Sequence, residues 1–68
     1  MGIRLDRAKF AAAQVRANLN GKMLAEKAGV SRVTVTSVRN GKSCSELTAQ
    51  KLAAGLGVRL SDITEKMG

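Results

Sequence analysis

Apolar positions in the first part of the chain follow one another at helical intervals. Leu5, Ala8, Ala12, Val15 and Leu19 alternate spacings of three and four, and Phe10, Ala13 and Ala17 form a second stripe beside them. In an alanine-rich stretch this predicts a helix from about Arg4 to Ala17 with a broad apolar face. Asn18-Leu19-Asn20-Gly21 interrupts the pattern, and Asn20 stands where a side chain caps the next helix. That helix is expected over about Gly21 to Ala28, with Leu24, Ala25 and Ala28 inward and Lys22, Glu26 and Lys27 in solvent. Gly29 suits the left-handed residue that closes a helix. Ser31 then offers a hydroxyl cap only two residues later, and helices joined so tightly must cross at a steep angle.

The segment from Arg32 to Gly41 carries two conflicting patterns. Val33, Thr34, Val35 and Thr36 alternate at period two, and Asn40-Gly41 is a hairpin-turn dipeptide. No second alternating run follows, because the chain continues Lys42-Ser43-Cys44-Ser45-Glu46. Read as a helix, the segment turns Val35 and Val38 inward beside Val30 and leaves Arg32, Val33, Thr36 and Ser37 outside. Ser45 caps a fourth helix with Glu46 in its first turn, Ala49, Leu52, Ala53 and Leu56 on its apolar face and Gly57 at its end. A fifth, short helix is expected from a Ser61 cap, with Ile63 and Met67 facing in. The expected fold class is therefore all-α, a compact five-helix domain.

Charge sharpens the picture. Twelve Lys and Arg stand against five Asp and Glu, for a net +7 in 68 residues. Residues 1–42 hold nine of the basic residues and two of the acidic ones, whereas residues 43–68 hold three of each. This asymmetry predicts one half facing a polyanion and a neutral half available for core or partner contacts. No Pro, repeat or low-complexity stretch marks a linker, so residues 1–68 are expected to form a single domain.

Other chemistries lose their residues. With no His and a single Cys, neither a zinc ligand set of the usual kind nor a His-paired nucleophile can be assembled. No enzyme activity, metal, cofactor or small-molecule ligand is expected. Cys44 precedes a helix start, a place that can lower a thiol pKa, but a packing or loop role is the simpler reading. Gly41-Lys42-Ser43 matches the end of a phosphate-binding P-loop, yet Thr36 occupies the position of its first glycine. Gly2 invites a myristoylation reading that Asp6 spoils, and no signal-peptide core or bilayer-spanning run is visible, so no membrane partner is expected.

The stretch from Gly21 to Asn40 resembles the helix-turn-helix of the lambda-repressor-like, Cro and Xre family. The resemblance rests on Leu24-Ala25, Gly29-Val30-Ser31, Val35, Val38 and Asn40-Gly41-Lys42, and farther on Leu52-Ala53, Leu56-Gly57-Val58 and Leu60 through Ile63. It extends over about residues 5–64. It implies that the helix at about 32–39 enters the major groove, with Arg32, Val33 and Ser37 against base edges and Thr34 and Thr36 nearby. The family's phosphate positions fall on Asn20, the Gly21 amide, Asn40, the Gly41 amide and Lys42, with Lys22 beside them. Family members usually carry Gln at the position of Gly21, and Arg and Glu as an ion pair at those of Gln14 and Arg39. Arg39, without that partner, is expected to turn outward to a phosphate.

The resemblance thus implies a sequence-specific reader of double-stranded DNA, a small phage or mobile-element repressor working as a homodimer in the cytoplasm. No separate sensor or cleavage domain is expected. Two other readings stand beside it: an antitoxin-like protein-interaction module, and an architectural binder that uses charge without sequence choice.

Overall fold

The computed structural model describes residues 2–65. Four α-helices run in the order α1 (Arg7–Arg16), α2 (Gly21–Ala28), α3 (Arg32–Arg39) and α4 (Glu46–Leu56), followed by a single 3-10 turn, Leu60–Asp62. The all-α expectation stands, with the fifth helix reduced to that turn. Its start is also earlier than Ser61. The Arg59 amide donates to Asp62 Oδ2 at 3.1 Å and the Ile63 amide to the Leu60 carbonyl at 3.1 Å, so the turn closes at once. Met67 lies outside the described residues.

Helix α1 departs from the periodicity in two ways. It begins at Arg7 rather than near Arg4, because Asp6 caps it: the carboxylate accepts the Lys9 amide at 2.9 Å. A short acidic side chain competes for nearby amides and is better placed outside a helix than within it. The residues before the cap are extended. Ile3 pairs with Cys44 through reciprocal bonds of 2.6 and 2.8 Å, and Leu5 forms a one-residue bridge with Thr64. The Asp6 amide donates to the Ile63 carbonyl at 2.7 Å.

The second departure is the buried face. Ala8 and Ala12 are exposed and Val15 is 79% exposed, so the longer apolar stripe faces solvent apart from Leu5 and the half-buried Leu19. Phe10, Ala13 and Gln14 are buried instead. An alanine-rich helix has little to choose between its faces, and a phenyl ring, burying about 150–250 Å², decides the rotation. Asn18, at φ 57°, ends the helix in the left-handed conformation, and the Leu19 amide returns to the Gln14 carbonyl at 3.1 Å.

The other helices follow their local signals. Asn20, Ser31 and Ser45 each accept an amide from the third residue onward, capping α2, α3 and α4. Gly29 ends α2 at φ 74°, ψ 34°, a region any β-carbon resists. The hairpin alternative for Asn40-Gly41 does not form. Their amides instead donate back to Thr36 and Val38, and the Lys42 amide to Ser37, closing α3. One core results, in which Leu5, Phe10, Leu24, Val35, Val38, Leu52 and Ile63 are fully enclosed. Helix α2 packs against both α3 and α4, so the α2–α3 pair is held as a unit.

Cys44 is half-buried against this core, and burial pushes its thiol pKa up, opposite to what a helix start alone would do. The folded state therefore resists thiolate formation. Its contribution to stability is complete below the unfolded thiol value of about 8.5 and falls as pH rises beyond it. Alkylation by iodoacetamide at mildly alkaline pH is expected to be severalfold slower than in urea. Equal rates in the two media would contradict the burial of this thiol.

Candidate nucleic-acid interface

The valines that anchor α3, Val35 and Val38, are 1% exposed each and fix the helix's rotation. The opposite face is consequently outside. Arg32 and Thr36 are exposed, Val33 is 74% exposed and Ser37 half-buried. These four side chains, with Asn40 and Lys42, line one shallow groove along the outer surface of the helix. A guanidinium, two hydroxyls and a branched apolar group are the chemistry that donates to guanine, bonds bases or phosphates, and meets a thymine methyl. Thr34 is not brought into the groove. Its hydroxyl lies 2.9 Å from the Ser31 hydroxyl and its amide donates to Ser31 at 3.1 Å, so it completes the helix cap.

A second depression lies between α2 and α3 and brings Asn20, Gly21 and Lys22 together with Arg32, Thr36 and Arg39. Arg32 and Thr36 border both depressions. Asn20 Oδ1 already accepts the Met23 amide at 2.8 Å, so its carboxamide nitrogen is the group left to donate outward. The Gly21 N–H opens α2, where backbone donors and the helix dipole favour an anion. Nothing steric requires glycine there: a β-carbon would meet only Val35 Cγ1, at 3.9 Å. At the far end of α3 the expected Gly41 donor is already used, because its amide bonds the Val38 carbonyl at 3.0 Å. Asn40 and Lys42 present exposed side chains on that turn.

Arg39 is exposed, as its lack of an acidic partner predicts. Gln14, at the position of the absent partner, is buried, and no buried polar side-chain atom is left without a hydrogen bond among the described residues. The single ion pair among those residues, Arg59 with Asp62 at 4.0 Å, lies on the turn after α4. The basic groups around α3 therefore have no carboxylate within 4.0 Å among the described residues.

The structure adds two residues that sequence periodicity assigned to α1. Arg4 Nε donates to the Gly41 carbonyl at 3.3 Å, and Arg7 Nε donates to the Arg39 carbonyl at 3.2 Å. The Asp6 cap, with the Lys9 amide three residues on, was the available signal that both precede or only just begin the helix. Their partners, more than thirty positions away, have no sequence signature.

Two helices joined through Gly29, Val30 and Ser31, the second presenting an uncovered basic and hydroxylic face, make up a DNA-binding helix-turn-helix domain. A family described as helix-turn-helix matches residues 12–63, most of the chain. The chain belongs to that family, the Xre and lambda-repressor-like helix-turn-helix proteins. Neither a curated relative nor a solved structure matches it. No helix among the described residues is long and apolar enough to cross a membrane.

Proposed function

We propose that the chain reads double-stranded DNA sequence-specifically and acts as a transcriptional repressor of the small phage or mobile-element kind, binding as a homodimer in the cytoplasm. It works as one domain and does no covalent chemistry. The observation that carries this reading is the outer face of α3, where Val33 stands 74% exposed between Arg32 and Thr36. An apolar side chain left in water amid polar ones has a use against a thymine methyl. Arg32 and Ser37 supply hydrogen bonds to base edges, while Asn20, Gly21, Lys22, Arg39, Asn40 and Lys42 serve the phosphates. Two-fold symmetry fits half-sites one helical turn apart, and the charge-balanced region after residue 42 is the surface available for self-contact.

Selection of bound duplexes from a randomised pool at physiological salt tests the reading. The expected product is a near-palindromic site with half-sites ~10 bp apart. Retention without enrichment would indicate an architectural binder, and no retention a protein-interaction module. On the selected site, Arg32→Ala is expected to cost about 1–3 kcal/mol and relax the choice at one base pair, whereas Lys42→Ala weakens every sequence alike. Equal losses for both variants on all single-base operator changes would remove the assignment.

A further inference from the structure

The turn after α3 gathers more positive charge than the helix itself calls for. Arg4 and Arg7 reach it from the chain's N-terminal segment and bond the Gly41 and Arg39 carbonyls, while Arg39 and Lys42 flank it in sequence. The contact with Arg7 is close: a β-carbon at Gly41, whose φ is 90°, would lie 3.2 Å from Arg7 Cδ. The C-terminal dipole of a helix amounts to roughly half a negative charge, which a single cation complements. Four cations stand here, all exposed, and none has a carboxylate within 4.0 Å among the described residues. Like charges held together in this way repel unless an anion lies between them.

Each guanidinium has five N–H donors, and the bond to the carbonyl occupies only Nε. The geometry points to Arg4 and Arg7 as phosphate-binding residues, each bridging a carbonyl at the end of α3 to a DNA phosphate through its Nη groups. The inference rests on the DNA-reading function above. It carries the contact surface past the helix-turn-helix into the segment before residue 12, where the family match begins. The bridges also have a positioning effect, since one side chain then holds both the phosphate and the end of the helix that faces the bases. Lysine, with a single compact charged centre in place of a planar fork, can still neutralise the phosphate but cannot hold the helix-end carbonyl through a separate nitrogen at the same time.

The test is the salt dependence of binding to a random-sequence duplex about two helical turns long (~20 bp), for which no operator need be known. Each lost phosphate contact lowers the slope of log affinity against log salt by about 0.9. Arg4→Gln with Arg7→Gln is expected to reduce it by about 1.8, so that the wild type's advantage shrinks about twelvefold between 50 and 200 mM salt. Arg4→Lys with Arg7→Lys keeps the charge and is expected to keep the slope. Circular dichroism checks each variant; should the double glutamine variant lose its helices, the single Arg4→Gln is read instead, with an expected loss of about 0.9. A folded glutamine variant that binds with the wild-type slope overturns the inference alone. A wild-type chain that binds no duplex overturns the DNA-reading function and this inference with it.

Discussion

Phe10→Ala is expected to destabilise the domain severely, to the point of unfolding at physiological temperature if the wild type is only marginally stable. The ring is the sole aromatic side chain of the protein and is 0% exposed, enclosed within the core that Leu5, Leu24, Val35 and Ile63 complete. Truncating a buried Phe costs about 3–5 kcal/mol in lost transfer energy and residual cavity. A domain of this length has a total stability of about 3–10 kcal/mol, so the loss takes between about a third and the whole of it. Thermal melting followed by circular dichroism is expected to show Tm lowered by about 15 °C or more, or no transition at all. Val15→Ala, on the outward face of the same helix, is expected to change stability by no more than about 0.5 kcal/mol. Comparable losses for the two substitutions would mean that α1 is rotated differently about its axis.

Gly55→Val is expected to cost about 3 kcal/mol by the opposite mechanism, overpacking. A β-carbon at Gly55 would lie 3.0 Å from Ala28 Cβ, 3.2 Å from Ala28 Cα and 3.2 Å from Leu24 Cδ1. The Leu24 side chain can yield a little, but the Ala28 backbone belongs to the last turn of α2 and cannot. A branched side chain must therefore push α4 away from α2, the helix that supports α3. Denaturant melts measure the stability loss. A variant with wild-type stability would show that the crossing of α2 and α4 is looser than these distances allow.

How much of this could be read from the chain depends on how local each cause is. The α2–turn–α3 unit was legible because its determinants act within a few residues: Asn20 and Ser31 cap, Gly29 supplies the left-handed turn, and Val35 and Val38 set the inward face. For the same reason, the outer face of α3 followed once its inner one was known. Helix α1 was only half legible. Periodicity counts Ala8, Ala12 and Val15 as equal to Phe10 and Ala13, whereas packing weights them by size. Asp6, within a helix expected from about Arg4 and otherwise notable only for spoiling a myristoylation pattern, is the cap after which the chain turns helical, leaving Ile3 and Leu5 in extended pairing. At the other end, Ser61 looked like a cap, yet Asp62 bonds the amide of Arg59 and forms a shorter turn. Gly55 and the Arg4 and Arg7 bonds to the end of α3 were not legible at all. Each depends on a partner brought close by the fold alone.

The pairing of Leu5 with Thr64 has a geometric consequence for the way such a unit can be joined to others. The Glu65 amide donates to the Arg4 carbonyl at 3.2 Å, so the backbone enters and leaves the folded body side by side. A module with adjacent ends interrupts a host loop without prying it open, and successive copies can be strung together without each dictating where the next must lie. The same adjacency means that a pull applied between residues 4 and 65 strains those few backbone bonds first, opening the seam before α3 is disturbed.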